Sequence, residues 1–207
     1  MIRSARVILS SAAGGYCPAR AQMAIFTVNT GCRDSEVCKR RWDWEVNVRE
    51  LDASVFIVPG HYVKNGEVRL IVLNRIAASV VDVQRGRHPT RVFSYKGKPV
   101  ASMVSSGWRC ARKAVGLLQV RVHDLKHTFG RRLCAAGVTF EDWQDLLGHR
   151  SGRITTHYSA AELSRLIEAA NRVCNRGNMK PKLVILPRLS VTLSRNTPAR
   201  VLRAGAF

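Results

Sequence analysis

Residues 122–174 read VHDLKHTFGRRLCAAGVTFEDWQDLLGHRSGRITTHYSAAELSRLIEAANRVC, and the spacing of their apolar positions decides what kind of chain this is. Leu125, Phe129, Leu133 and Cys134 recur at three- and four-residue steps, which predicts a helix from about His123 to Ala136 with one buried face, stopped by Gly137. Thr139 followed by Asp142 is a capping box with a shortened acid, opening a second helix through Trp143, Leu146 and Leu147 to Gly148. His149 then stands at a helix C-terminus. A third short helix is expected over 152–157, and Ser159 with Glu162 caps a fourth whose apolar face is Leu163, Leu166, Ile167 and Ala170. Tyr158 falls between two helices, one residue before a cap, where a phenol is presented sideways rather than into a core.

On the N-terminal side, apolar Met23 to Val28 runs into Asn29-Thr30-Gly31, a helix stop, and Asp34 or Ser35 is placed to cap a new helix carrying Val37. Arg33 is held at that junction. Short alternating runs follow over 42–48, 54–63 and 68–73, with Lys64-Asn65-Gly66 between the last two. Asn-Gly between β-branched runs predicts a hairpin with Lys64 at its tip. Asn74 is expected to cap a helix through Ile76, Val80, Val81 and Val83. Val92-Phe93 is expected as a short strand and 96–99 as a turn. Residues 102–115 read as an amphipathic helix with Met103, Trp108 and Ala111 inside, and Arg109, Arg112 and Lys113 outside on a face able to track a phosphate backbone. These elements describe a mainly α chain with a small antiparallel sheet, an α+β fold.

The chain is 207 residues long, enough for one domain with tails, and its 34 Lys and Arg against 14 Asp and Glu give a formal charge of +20. Such an excess points to a polyanionic partner. Residues 1–22 form a basic leader, expected to be disordered, and residues 175–207 a basic tail without acids, expected to be mostly disordered, leaving 23–174 as the folded unit. Within the tail, apolar Leu183 to Leu186 suits an edge strand added to a neighbouring protomer. No run approaches the roughly 18 apolar residues that cross a bilayer. The six cysteines lack CxxC spacing, and two fall on predicted helical faces, so reduced thiols of a cytoplasmic protein are expected, with no metal site. The aromatic sheet motifs and GxxG loop of common RNA-binding modules are missing.

HDLKHTF at 123–129, LLGH at 146–149 and a tyrosine nine positions after His149 resemble the catalytic domain of the tyrosine recombinases, the phage-integrase type of DNA breaking and rejoining enzyme. TGCRDSEV at 30–37 is similar to that family's first arginine box, TGxRxxE, with Arg33 on its arginine. The resemblance implies site-specific recombination of double-stranded DNA by a homo-oligomer, with no cofactor. In that chemistry Tyr158 is the nucleophile, leaving a 3′-phosphotyrosine and a free 5′-hydroxyl. Arg33, Lys126 and His123 clamp the non-bridging oxygens, His149 donates to the phosphate, and Lys64 is the general acid with His123 assisting proton transfer. The need for such a set is physical. Cationic donors absorb charge in a pentacoordinate transition state, and a tyrosyl ester conserves the bond energy for rejoining.

The sequence departs from the family in two places. HxxR carries Lys126 in place of its arginine, keeping the charge and losing the planar fork that grips two oxygens at once, which implies lowered or specialised activity. Family members also carry an N-terminal domain that helps close around DNA, and the leader is too short to supply it. The expected product is a truncated or minimal enzyme, or a catalytically impaired DNA-binding remnant of a mobile element.

Overall fold

The first helix, α1 (Pro18–Thr30), is the element on which the others are assembled. It begins five residues ahead of the expected start at Met23, and its second half is buried on nearly every side. Polar Thr27 and Thr30 survive there because each hydroxyl donates to a carbonyl one turn back, Met23 O at 2.7 Å and Phe26 O at 2.8 Å. The computed structural model describes residues 18–114, 116–149 and 159–174. After α1 come α2 (Asp34–Cys38), β1 (Glu45–Val48), β2 (Ala53–Val58), β3 (Arg69–Val72), α3 (Arg75–Gln84), β4 (Ser94–Tyr95), β5 (Lys98–Pro99), α4 (Ser106–Ala114), α5 (Val122–Ala135), α6 (Phe140–Leu147) and α7 (Ala160–Arg172). This is the expected α+β architecture. Among the described residues no helix is long and apolar enough to cross a membrane.

Strands β1, β2 and β3 form an antiparallel sheet in that order, with Glu45 opposite Phe56 and Val58 opposite Arg69; β4 and β5 form a separate two-stranded ribbon. Two apolar clusters flank the sheet. The larger holds Met23, Phe26, Phe56, Val58, Ile71, Phe93 and Trp108, and the smaller Phe129, Leu133, Leu146, Leu147 and Leu166. Two elements belong to both. Side chains alternate along β3, so Ile71 joins the larger cluster and Val72 the smaller. Helix α5 gives Val122 and Leu125 to the larger, then Phe129 and Leu133 to the smaller. Lys126 therefore sits at the seam, between Leu125 and Phe129.

The helix ends obey local chemistry. The Thr139 hydroxyl accepts the Asp142 N–H at 3.2 Å, the Ser159 hydroxyl the Glu162 N–H at 3.2 Å, and the Asn74 carboxamide oxygen the Ala77 N–H at 2.9 Å. Several expectations are corrected by packing. In α3 the buried positions are Ala77, Val80, Val81 and Gln84, while Ile76 and Val83 face solvent. Cys134 lies on the exposed side of α5, and Cys110 is also exposed, so among the described residues the buried thiols are Cys32 and Cys38. Val92 and Phe93 are core residues ahead of the ribbon and not a strand. Helix α4 starts at Ser106, after Met103, because the Asp34 carboxylate takes the Met103 N–H and the Ser102 hydroxyl, each at 2.9 Å. Asp34 thus serves as a tether and not as the cap of α2. Arg112 does not track solvent: its Nη1 donates to Leu118 O at 2.8 Å and Val120 O at 2.7 Å, closing the turn after α4. The helix expected over 152–157, the leader before residue 18 and the tail after residue 174 lie outside the described residues.

Candidate active site

Three chain segments converge at the seam. The first is the turn out of α1. Gly31 takes φ +65°, and a Cβ there would stand 2.6 Å from Leu147 Cδ2 and 2.8 Å from Phe129 Cδ1, so only glycine lets the end of α1 press onto α5 and α6. Arg33 follows at the N-cap of α2. Its backbone N–H and its Nη1 donate to the two oxygens of Glu36, each at 2.9 Å, so one carboxylate sets both the backbone and the fork of this arginine.

Glu36 also receives Nη1 of Arg69, from the start of β3, in a buried ion pair. Arg69 Nη2 donates to Gly31 O at 3.1 Å. Burial alone would raise the Glu36 pKa, but the Arg69 charge and the hydrogen bonds from Arg33 and Arg69 override it and bring the carboxyl to about 2. Beneath this network lies Arg40, fully buried. Its Nη2 donates to Glu36 O at 3.1 Å and Cys32 Sγ at 3.3 Å, and its guanidinium carbon is 5.3 Å from the Phe26 ring centre and 4.9 Å from that of Phe56.

The second segment is the first half of α5. Lys126 is buried at 4% exposure, and its Nζ donates to Leu147 O at 3.0 Å. Burial, then the charges of Arg69 and Arg33, pull its pKa down to about 8. His123, one turn earlier, is exposed and stands edge-to-face with His127, ring centres 4.6 Å apart. Its pKa is lowered by burial of part of the ring, then by His127 and Lys126.

The third segment is the end of α6. Gly148 adopts the left-handed conformation at φ +62°, and a Cβ there would meet Arg69 Nε at 2.7 Å, so the Arg69 side chain packs directly under the turn that presents His149. The His149 N–H donates to Gln144 O at 2.9 Å, and its ring lies edge-to-face on Trp143 at 5.2 Å. Trp143 is itself fixed by its Nε1–H to Gly130 O at 3.0 Å. The His149 pKa is lowered by burial, then by the charges of Lys126, Arg33 and Arg69 that face it.

Of the six residues expected at the site, Arg33, Lys126 and His149 feel one another's charge, Arg33 and Lys126 lie by Glu36, and His123 is joined to the group through Lys126. Lys64 is not joined to them by any hydrogen bond or ion pair among the described residues. The β2–β3 connection spans residues 59–68, longer than a two-residue hairpin, contains a single helical turn at Gly60–Tyr62, and leaves Lys64 exposed. Tyr158 lies outside the described residues. Sequence reading missed Arg69 and Arg40, whose burial has no local signal. Glu36 stood in the quoted box without being assigned a part. Among the described residues no cluster of three or more His, Cys, Asp or Glu is arranged to hold a metal ion.

The arrangement is a cluster of positive charge with imidazoles of lowered pKa beside it, a chemistry that suits an oxyanion. The sequence profile of the Phage integrase family matches residues 9–165, a span that takes in all three segments. The chain belongs to the phage integrase family. The integrase of Salmonella phage P22 is 28% identical over 161 residues, covering 72% of this chain and 41% of that protein. This family member therefore spans well under half the length of that relative. Its fold is that of a tyrosine recombinase catalytic domain, and the TGxRxxE, HxxR and LLGH boxes are the three segments that meet at the seam.

Proposed function

We propose that the protein carries out site-specific recombination of double-stranded DNA, breaking and rejoining strands through a 3′-phosphotyrosine ester on Tyr158, as an oligomer on its target. The observation that carries this reading is the convergence of Arg33, Lys126 and His149 on one basin, from three segments far apart in the chain and all inside the family match.

A phosphodiester repels nucleophiles, and its alkoxide leaves poorly. Arg33, oriented by Glu36, presents a preorganised donor to a non-bridging oxygen. His149, its ring braced by Trp143, supplies a neutral N–H to a second oxygen at pH 7, since its pKa is lowered. His123, also with a lowered pKa, is fit to accept a proton from the attacking phenol. Excess basic charge along the chain supplies the sequence-independent attraction for the duplex.

The test is covalent capture. The full chain is incubated with a pool of nicked suicide duplexes randomised around the scissile step, and protein–DNA adducts resistant to denaturant are recovered and sequenced. An adduct with an enriched sequence is expected, with Tyr158→Phe abolishing it. Salt-sensitive binding with no adduct under any sequence would mean a DNA-binding remnant without strand cleavage.

A further inference from the structure

The chain has six histidines, and those among the described residues differ in the company they keep. The His61 ring lies on Tyr62, with ring centres 4.3 Å apart, and the His149 ring lies on Trp143. Nδ1 of His88 accepts the N–H groups of Thr90 at 3.1 Å and Arg91 at 3.0 Å. His123 and His127 have each other. They stand four residues apart on α5, so both project from one face a turn apart, with ring centres separated by 4.6 Å. Both are exposed, and neither ring takes part in a hydrogen bond among the described residues. Leu125, Lys126 and Phe129 are buried, so the helix that carries the pair is clamped and its spacing fixed.

Two imidazoles a turn apart on a fixed helix can chelate a transition-metal ion. A nitrogen bonds zinc at about 2.0–2.1 Å, so one ion can reach both rings once they turn toward it. The rings meet edge-to-face at 90°, and the χ2 torsion that turns an exposed imidazole is broad and soft. Imidazole favours zinc, nickel and copper, whereas magnesium and calcium take oxygen ligands. The neighbouring acid sharpens that choice. Asp124 lies between the two histidines in sequence, but its carboxylate is engaged by the Arg121 backbone N–H at 2.8 Å and Nη2 at 3.2 Å. The protein thus offers two nitrogens, and the other positions of a bound ion fall to water or to a phosphate oxygen.

We propose that His123 and His127 form a two-histidine site for a divalent transition-metal ion, and that occupancy of this site switches the enzyme off. The second half rests on the recombinase reading; the first does not. A neutral imidazole has one basic nitrogen, and once its lone pair is given to a metal none remains to accept a proton. An ion on His123 therefore blocks the proton transfer for which that ring is placed. The charges of Lys126 and Arg121, which His123 feels, oppose a dication, so the ion acts as a reversible inhibitor and not as a resident cofactor.

The experiment titrates the untagged full chain with nickel chloride by calorimetry, beside His123→Ala, His127→Ala and His127→Phe, the last keeping a ring against His123 while removing the ligand. Melting curves establish that the variants are folded. Wild type is expected to bind one nickel ion, and magnesium chloride to give no saturable heat. Loss of an outer-shell partner alone costs about 10–100-fold in metal affinity, so removal of either ligand should weaken binding at least about tenfold. No saturable nickel binding by wild type, unchanged affinity in a folded variant, or equal binding of magnesium overturns the site. In covalent capture, saturating nickel should slow adduct formation by wild type about a hundredfold, the scale of a lost proton acceptor, and leave His127→Phe at the same rate with and without the ion. Undiminished adduct from nickel-saturated wild type, or equal inhibition of both chains, overturns the switch. A wild type that binds nickel through the pair and forms no adduct with any duplex overturns the recombinase reading and upholds the metal site.

Discussion

The sheet side of the seam and its helix side hold positive charge in opposite ways. On the sheet side Arg33 and Arg69 close on the two oxygens of Glu36, and the acid is driven to a pKa of about 2. On the helix side Lys126 leans on a carbonyl, and the histidines around it are pushed toward neutrality. Arg69, buried and matched to Glu36, works as framework, while Arg33 on the same carboxylate is partly exposed and oriented by it. A carbonyl-held cation is incompletely compensated, so an arriving phosphate lowers its energy most. The same total charge thus divides into a part matched by a carboxylate within the fold and a part held only by neutral groups.

The sharpest way to break this contrast is on the framework side. Arg69→Ala leaves Glu36 buried with Arg33 alone and should destabilise the fold by about 3–5 kcal/mol, read from the urea unfolding midpoint. A loss under about 1 kcal/mol would mean that Arg33 satisfies the acid unaided. Next in size is an acid limb. The folded Glu36 pKa of about 2 lies below its ordinary 4.5, so its contribution is complete above pH 4.5 and disappears as pH falls toward 2. That limb should amount to roughly 3 kcal/mol at most and should be flattened by Glu36→Gln in melting curves taken across the window.

The helix side should respond with the opposite sign. Lys126→Met removes an ammonium that the folded state disfavours, so stability at pH 7 should rise by up to about 3 kcal/mol while cleavage is lost. In the native chain, stability should climb between pH 8 and 10.5, where the unfolded lysine still binds a proton that the folded one has released, and the variant should lack that climb. A destabilised Lys126→Met would show that the Leu147 contact outweighs burial of the charge. Smallest is Thr139→Ala, which removes the cap of the helix presenting His149. About 1 kcal/mol of stability should be lost by thermal melting, and a cost near that of Arg69→Ala would erase the distinction between local and framework effects.

What was legible in the sequence follows the range of the forces involved. The caps at Thr139, Ser159 and Asn74 are bonds between residues three apart, so their signals are local and the helices they open stood where expected. The same holds for His123, Lys126 and His149, placed by helix spacing and a glycine stop. Arg69 and Glu36 are 33 residues apart in sequence, and an arginine in a strand reads as solvent-facing until its distant partner is known. In α3 the apolar run Ile76, Val80, Val81, Val83 offers two overlapping stripes, and the one chosen by packing uses Ala77 and Gln84 because α1 lies close. Arg112 fails for a related reason: a basic residue on an amphipathic helix reads as surface, and the carbonyls it closes upon belong to the turn beyond the helix.

Arg40, clad by the Phe26 and Phe56 rings beneath Glu36, has one further consequence. Dissolved ions cannot approach it closely, so the potential it sets up below the site is screened by salt much less than that of a surface charge. The field of the surface lysines and arginines decays instead over about 8–10 Å in ordinary saline. Added electrolyte therefore cuts off recruitment of a polyanion from a distance while sparing the short-range hold on a single phosphate. The protein should retain what is already docked under conditions in which it no longer captures anything new.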